Sequence, residues 1–424
     1  MVRGSHGGGG LSAPPQSPAV PVPVVIGGDI GAYALLRAFH DRYDARGVVV
    51  SRLESRAFAR TRIADVRIAD VENADALVES LVALAHEREG ERLVLLSNAD
   101  WYVESIIAAR ERLEPLYEIP MCSLEAFERV SSKEAFQADC EALGIPVPQT
   151  VPVRFVDGQP APDGELDSLT YPVIGKASSS AEHHYAEYQG KKKVQHLVSR
   201  AEVDDLLARI AGSGFAGTYL LQEFIPGDET QMRSLTAYRD ARGTVTMICT
   251  GRVLLEEHTP GTLGIPAAIL TEPYTDAMDA MERYLERVDY RGFANADYKR
   301  DPRTGEHVFF EVNPRIGRNN WYATCAGADP AEHVMADLDG EERQQLRATR
   351  EVLYSVVPLR LLTRYLLDKD LRTRVVRAAK RGIARPLHNP ADASPRRRAV
   401  IALLTLNYRR KYKKHYPEAT ATGH

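Results

Sequence analysis

Cysteine is scarce in this chain, with four residues among 424. They form no C-x-x-C pair and match no zinc-binding spacing, and the twelve histidines make no H-E-x-x-H motif. The cysteines are Cys122, Cys140, Cys249 and Cys325. Because the sequence carries neither a disulfide framework nor a zinc signature, we expect reduced structural thiols in a cytoplasmic protein.

Long apolar runs are also missing. The longest one in the C-terminal part, residues 399–406, falls far short of the roughly 20 residues that a membrane-spanning helix requires. The first 23 residues are rich in Gly, Pro and Ser and lack the apolar segment of a secretory signal, so we expect a disordered leader there. The overall composition, 44% hydrophobic and 26% charged, is typical of a soluble globular protein.

The net charge of −4 conceals an uneven distribution. Residues 358–424 carry 17 Lys and Arg against 4 Asp and Glu, which leaves a balance of −17 for the rest. Within this basic part, residues 359–383 have an amphipathic helical pattern, typical of a surface helix packed on the body or of one that contacts an anionic membrane or partner. No recognised nucleic-acid fold accompanies the Arg and Lys clusters, so we do not expect a nucleic acid as partner.

The apolar runs predict an α/β domain near the N-terminal end. Residues 24–26 form a short strand, a glycine turn follows at 27–31, and a helical pattern comes next. The glycines do not match G-x-G-x-x-G, so both a nucleotide site and a tight helix–strand turn are compatible with them. After a second buried strand, the polar residues 97–100 occupy the edge where open α/β sheets bind ligands, and one interpretation is that they contact a substrate.

The middle of the chain carries two lysines at the ends of predicted elements. Lys133 lies at the start of a helix capped by serine, and Lys176 ends a short strand. A loop with serines at 178–180 and Gly190 followed by three lysines suits a polyphosphate, although adjacent lysines alone are also typical of a solvated surface. A buried strand at 219–225 then ends at a Pro-Gly turn.

Residues 291–317 predict a β-hairpin. One arm covers 293–299, a Pro- and Gly-containing turn covers 301–305, and the return arm covers 307–312. Asp297 lies on one arm, Glu311 on the other, and Asn313 on the same face as Glu311. Three oxygen ligands at one sheet edge suit Mg²⁺, while the alternative is a solvated polar face.

The E-V-N-P-R run of this hairpin closely resembles the metal-binding strand of the ATP-grasp ligases. A helix-start lysine, a strand-borne lysine and a Q-E-F-I strand precede it, and this order resembles the ATP-grasp superfamily over residues 24–340. The stretches G-G-D-I-G-A-Y, K-A-S-S-S-A-E with G-K-K-K-V, P-G-T-L-G-I-P and N-P-R-I-G-R-N-N-W-Y resemble the D-aspartate ligase group of carboxylate–amine ligases. In that group a loop with Ser and Lys replaces the glycine-rich phosphate loop, as it does here.

The resemblance implies an ATP-grasp fold of mixed α/β and α+β class, preceded by a Rossmann-like domain and followed by a basic helical extension. The expected parts are the leader at 1–23, the pre-ATP-grasp domain at 24–130, the ATP-grasp domain at 131–345 and the extension at 346–424. ATP would lie between two α+β subdomains of the third part.

The resemblance also implies the residues that bind ATP and metal. Those expected to contact ATP are Lys133, Lys176, Ser178, Ser179, Lys193, Gln222, Glu223, Phe224, Ile225, Glu229 and Lys299. Lys133 and Lys176 would hold the α- and β-phosphates, residues 222–225 would line the adenine pocket, and Glu229, or alternatively Glu223, would hold the ribose hydroxyls. Asp297, Glu311 and Asn313 would hold one or two Mg²⁺ ions, or Mn²⁺ in their place, between the β- and γ-phosphates.

Two arginines, Arg315 and Arg252, are the expected catalytic residues. Their guanidinium groups match the geometry of an acyl phosphate and its tetrahedral successor. Arg233 and Lys299 are weaker candidates, because each is as well explained by a structural ion pair. Gly264, Arg318 and Asn319 are expected to contact substrate, and His258 is expected to be a polar loop residue.

The resemblance implies that ATP phosphorylates a carboxylate and that an amine attacks the acyl phosphate, which yields an amide, ADP and phosphate. The favoured version joins an amino acid such as D-aspartate to the side-chain amine of a peptidoglycan precursor, a UDP-linked peptide, with peripheral membrane contact through the basic tail. The alternative is a ligase for a natural-product dipeptide or amino-acid conjugate. A non-catalytic nucleotide-binding protein would lack metal ligands, whereas all three are present in this sequence.

Overall fold

The computed structural model describes residues 20–178, 187–192 and 194–420. The first sheet is parallel and has the strand order β3-β2-β1-β4. Its strands are β1 (Pro21–Ile26), β2 (Gly47–Ser51), β3 (Ala64–Ile68) and β4 (Arg92–Ser97). The helices of this region are α1 (Ile30–Tyr43), α2 (Ala74–Glu87), α3 (Asp100–Ala108), α4 (Arg110–Leu113) and α5 (Leu124–Ser131).

Strand β1 begins at Pro21, three residues before the predicted end of the leader. Residues 21–23 pair with β4 alone, and pairing with β2 begins only at Val24. Proline has no N–H to donate to a neighbouring strand. It is tolerated where a strand has a neighbour on one side only, because on the other side no hydrogen bond is lost. The expected leader therefore contributes its last three residues to the sheet.

A small antiparallel sheet follows, with the order β6-β5-β9-β7-β8. Its strands are β5 (Thr150–Val156), β6 (Gln159–Pro162), β7 (Val173–Ala177), β8 (Gln195–Leu197) and β9 (Thr218–Glu223). The helices beside it are α6 (Lys133–Leu143) and α7 (Arg200–Ala211). Ser132 caps α6 through Ala135 N, as predicted, and the buried leucines of α7 cover the sheet.

The central sheet has eight strands in the order β14-β13-β10-β11-β12-β16-β17, with β15 paired to β11. They are β10 (Met232–Arg239), β11 (Val245–Glu256), β12 (Pro266–Thr271), β13 (Gly292–Arg300), β14 (His307–Asn313), β15 (Leu346–Arg347), β16 (Leu353–Ser355) and β17 (Ile383–Ala384). Helix α8 (Thr275–Arg287) packs against one face. The predicted hairpin is β13–β14, and its turn is closed by the bond from Gly305 N to Asp301 O.

The remaining helices are α9 (Trp321–Ala326), α10 (Pro330–Leu338), α11 (Leu359–Tyr365), α12 (Lys369–Arg381) and α13 (Pro395–His415). The single helix predicted over residues 359–383 is wrong: Asp368 caps a new helix by accepting from Asp370 N and Leu371 N, and residue 383 begins a strand. None of the helices in the described ranges is long and apolar enough to cross a membrane.

Helix α13 is attached to the body along one face. Tyr412 donates to Glu256 O, Tyr408 to Glu257 Oε1, and Tyr416 stacks on His258 with 3.7 Å between ring centroids. Most of the arginines and lysines lie on the opposite, exposed face. Helix α13 is therefore packed on the body along one face and exposes its basic face.

Candidate active site

The three predicted metal ligands meet on one face of the β13–β14 hairpin. Asp297 lies opposite Glu311 in register, and Asn313 follows two residues later. Asn313 Nδ2 is 3.3 Å from Asp297 Oδ2. Because register partners lie side by side and residues two apart share a face, the two carboxylates and the Asn313 amide lie on one face. The amide turns its Nδ2 towards Asp297 and its Oδ1 towards Arg315.

This donor set fits a divalent cation. Burial and then the charge of Glu311 raise the pKa of Asp297 to about 7. The exposed Glu311 carboxylate has no hydrogen bond or ion pair with any residue that the structure describes. No group of three His, Cys, Asp or Glu side chains in the described ranges has the arrangement of a metal site, and here the Asn313 amide would supply the third ligand. Hard oxygen ligands of this kind suit Mg²⁺.

The two lysines predicted to bind phosphate lie on the small sheet and on the helix before it, Lys176 in β7 and Lys133 at the start of α6. Lys176 Nζ donates to Gln222 Oε1 at 2.9 Å, and Lys133 Nζ donates to Ser178 O at 3.1 Å. Burial and then the nearby Lys133 lower the pKa of Lys176 to about 8, whereas the charge of Glu311 acts in the opposite direction. The charges of Lys133 and Glu311 therefore both act on Lys176. The predicted residues Ser179 and Lys193 lie outside the described residues.

The segment predicted to line the adenine pocket is held to the central sheet by Lys299. Lys299 Nζ donates to Ile225 O at 2.9 Å and to Gly227 O at 2.7 Å, and it lies 5.3 Å from the Phe224 ring. Glu223 accepts a hydrogen bond from Arg303 Nη2 at 2.6 Å. Because its donors are used by backbone carbonyls, Lys299 positions the nucleotide-binding segment.

Glu229, the first candidate for the ribose hydroxyls, points into the protein. It accepts from Glu256 N at 2.6 Å and lies 3.4 Å from His258 Nε2. Burial raises the pKa of Glu229 to about 8 and lowers that of His258 to about 4, so both groups are neutral near pH 7. Glu223 at the end of β9 is half-buried and, unlike Glu229, belongs to the segment 222–225 that is predicted to line the adenine pocket. The stacking of His258 under α13 gives it a structural role.

Arg315 links the β13–β14 hairpin to the N-terminal region. This hairpin is called the metal hairpin below because it carries the three predicted metal ligands. Its Nη2 is 3.1 Å from Asn313 Oδ1, and its Nε is 3.2 Å from Asp100 Oδ1. Asp100 belongs to the polar stretch after β4 that the sequence suggested as a ligand contact. The arginine therefore lies beside the predicted metal ligands, with its orientation fixed by a carboxylate at the start of α3.

Arg252 lies away from the metal ligands, contrary to its predicted catalytic role. It pairs with Arg233 across β10–β11, whereas Asp297 is in register with Ser234, the next residue along β10. Adjacent residues of a strand face opposite sides of a sheet, so Arg252 is on the far face. There Arg252 and Arg233 both donate to Thr230 O and so hold the turn after β9 in place.

The three candidate substrate residues have different surroundings. Arg318 forms ion pairs with Asp29 at 3.1 Å and with Glu257 at 2.7 Å. Gly264, with φ of +85°, lies in an open loop and donates its N–H to Glu257 O. Asn319 is only 3% exposed and donates to Ser234 Oγ, so it supports the sheet beneath the metal ligands and has little surface for a substrate.

Sequence reasoning missed a polar network around Arg318. Asp29 caps α1 and accepts from Asn98 Nδ2 at 2.9 Å, and Glu257 accepts from Lys411 of α13 at 3.5 Å. The only local signal was the acidic residue inside the G-G-D-I-G turn. The partners come from three distant parts of the chain, and only the fold brings them together.

The chain is similar over nearly its whole length to a known ligase. The D-aspartate ligase of Enterococcus faecium (strain Aus0004) is 29% identical over 414 residues, which cover 93% of this chain and 96% of the relative. The family profile described as carbamoyl-phosphate synthase L chain, ATP binding domain, matches residues 133–336. That range includes the two lysines and the metal hairpin.

Solved structures give the same fold. The ADP complex of N5-carboxyaminoimidazole ribonucleotide synthetase has a TM-score of 0.54 at 15% identity and covers 79% of this chain and 81% of its own. An L-amino acid ligase from Bacillus licheniformis has a TM-score of 0.52 at 12% identity and covers 76% of this chain and 75% of its own. At such low identity these likenesses concern architecture, and they confirm the predicted fold class.

Proposed function

Because this chain is an ATP-grasp ligase that resembles the D-aspartate ligase group, we propose that it joins an amino acid such as D-aspartate to the side-chain amine of a peptidoglycan precursor. The observation that supports this most directly is that Asp297, Glu311 and Asn313 meet on one face of the β13–β14 hairpin, close enough for the charge of Glu311 to act on Lys176. The match to D-aspartate ligase over both chains supports the choice of donor.

In this proposal, the cleft neutralises and orients the triphosphate. Lys133 and Lys176 bind its phosphate oxygens, while Asp297, Glu311 and Asn313 hold Mg²⁺. The bound ion would neutralise part of the phosphate charge. Phosphoryl transfer leaves little covalent work to the protein, so positioning and electrostatic stabilisation account for most of the rate. The small and central sheets provide these groups from opposite sides.

Arg315 is the residue proposed to act on the reacting carboxylate. Its Nε and Nη2 contact Asp100, and Nη2 also contacts Asn313, so the guanidinium is fixed before substrate binds. A fixed guanidinium can stabilise the negative charge that develops on the acyl phosphate and on the tetrahedral species formed by the amine. Preorganisation lowers the cost of placing that charge during the reaction.

The proposal is tested by phosphate release from ATP and Mg²⁺ with a panel of D- and L-amino acids, with and without a UDP-linked peptide. We expect release with D-aspartate to depend on the peptide acceptor and to yield an amide detectable by mass spectrometry. Amide formation from pairs of L-amino acids, with no reaction of any D-amino acid, would contradict the proposal. That result would favour a ligase for dipeptides or amino-acid conjugates.

We also propose that the outer face of α13 contacts an anionic membrane surface. Leu403 and Leu406 are 64% and 50% exposed on this helix, and the exposed basic residues around them include Arg409 and Arg410. Each basic residue near an anionic surface contributes about 1 kcal/mol. Deleting residues from 358 onward is unsuitable as a test, because it removes β17 and the buried tyrosines of α13.

Charge reversal at Arg409 and Arg410 is expected to lower co-sedimentation with vesicles containing anionic lipid by about 10-fold or more, and to leave ATP binding unchanged. The matched control reverses two exposed basic residues of α12, Lys369 and Arg372. Equal vesicle binding by both double variants, or binding to neutral vesicles alone, would contradict the proposed contact.

A further inference from the structure

A cavity of about 220 Å³ lies between the N-terminal sheet and helix α13. Its walls come from the turn after β1, the loop after β2, the end of β16, residues 385–388 and α13. Leu387, Ile401 and Leu404 provide apolar surface. Given that one water occupies roughly 30 Å³ of liquid, the cavity has room for a molecule of amino-acid size. It lies at the carboxyl edge of a parallel sheet, where α/β proteins bind ligands.

The charged groups of this cavity are mostly cationic. Arg56, Arg318, Arg385 and Lys411 line it, and Asp29 is its one lining carboxylate. Arg318 is neutralised by Asp29 and by Glu257 behind the wall, and Lys411 also lies near Glu257. The cavity therefore carries more positive charge than its own acids balance.

Two of these guanidinium groups are available to a ligand. Among the residues that the structure describes, Arg56 and Arg385 have neither an ion pair nor a side-chain hydrogen bond. Arg385 is half-buried, and burial lowers its pKa. A half-buried guanidinium without a carboxylate is costly, and its planar set of donors matches a carboxylate. Both facts point to an anion as the missing partner.

The wall of the cavity is connected to the site already described by short stretches of chain and by hydrogen bonds. Its wall residue Arg318 follows three positions after Arg315, which contacts the metal ligand Asn313. Its other wall residue Asp29 accepts from Asn98, two residues before Asp100, the partner of Arg315. A small molecule bound here can therefore direct one end towards the metal hairpin.

We propose that this cavity binds the non-reacting carboxylate of the donor amino acid through Arg385 and Arg56, and so selects acidic donors over neutral ones. The inference rests on the proposed ligase function. A UDP-linked peptide is far larger than the cavity, so the acceptor is not its occupant. The excess of positive charge favours a dicarboxylic amino acid, which keeps a free carboxylate while the other one reacts.

The test compares Arg385→Met with the native protein in steady-state kinetics. We expect the KM for D-aspartate to rise about 10- to 100-fold, as for a lost charged hydrogen bond, while kcat and the KM for ATP change less than about 3-fold. Arg385→Lys should recover part of the loss. Arg56→Met, at an exposed position, provides a second variant with little risk to folding. Arg372→Met, at an exposed position of α12, is the control.

An unchanged KM for D-aspartate in both Met variants, or an increase confined to the acceptor, would overturn the inference while the ligase function stands. A binding measurement separates the two proposals. D-Aspartate without ATP should raise the thermal midpoint of the native protein but not of Arg385→Met, and D-asparagine should raise neither. If the native protein makes no amide with any amino acid, the proposed function fails, and this binding result alone decides whether the cavity takes an acidic amino acid.

Discussion

Replacing Glu311 by glutamine is expected to lower ATP-dependent phosphate release by about 10²–10³-fold. The substitution keeps the size of the side chain but removes one of the two charges that hold Mg²⁺ beside the phosphates. Glu311 is exposed to the cleft and has no hydrogen bond or ion pair with the described residues, so we expect the fold to be unaffected. Phosphate release at saturating ATP, repeated over a Mg²⁺ titration, measures the loss.

Glu306→Gln is the matched control, because Glu306 is an exposed carboxylate in the turn of the same hairpin. It should retain the native rate. Asp297→Asn gives an independent check, because it should abolish activity yet leave the metal-free protein at least as stable as the native one. Burial and the charge of Glu311 raise the pKa of Asp297 to about 7, so the substitution removes a carboxylate whose charged form is disfavoured in the folded protein. Near-native turnover of Glu311→Gln, or a loss of stability in Asp297→Asn, would refute the metal assignment.

Replacing Arg397 by alanine is expected to lower the free energy of unfolding by about 3–5 kcal/mol, the typical effect of breaking a buried ion pair. Arg397 is fully buried, lies 2.9 Å from Asp392 Oδ2, and donates to Ala57 O and Ala59 O. Without it, the buried Asp392 keeps only neutral partners. Denaturant unfolding followed by fluorescence measures the change.

The neighbouring Arg398 supplies the control for this prediction. It is exposed, so Arg398→Ala should change the free energy of unfolding by less than about 0.5 kcal/mol. Adding Asp392→Asn to Arg397→Ala should recover part of the loss, because the uncompensated buried charge disappears. Similar stability of the two alanine variants would show that Arg397 does not anchor α13 to the N-terminal sheet.

The metal hairpin was predictable because its signals are local. A Pro- and Gly-containing turn sets two adjacent arms in register, and alternation along each arm then places Asp297, Glu311 and Asn313 together. The helix start at Lys133 was likewise predictable from the serine cap next to it. Both depend on interactions between residues close in sequence.

Arg252 shows where such reasoning fails. Its sequence position marks it as strand, but its face relative to Asp297 is set by the register of β10 with both β11 and β13. The same limit applies to the three arginines at 396–398, which composition alone treats as equally exposed. Only the middle one is buried, because its partner Asp392 and the carbonyls of the loop after β2 meet it there.

The sequence by itself predicted the candidate metal ligands, the candidate phosphate-binding lysines and the resemblance to ATP-grasp ligases, since each depends on short segments with fixed spacing. Only the tertiary structure decided that Arg315 and not Arg252 lies beside those ligands, and that Arg56 and Arg385 share one cavity with Arg318. Long-range contacts between separate sheets and α13 create these arrangements. Charge counts and strand alternation describe each segment alone, whereas tertiary packing determines which segments lie next to one another.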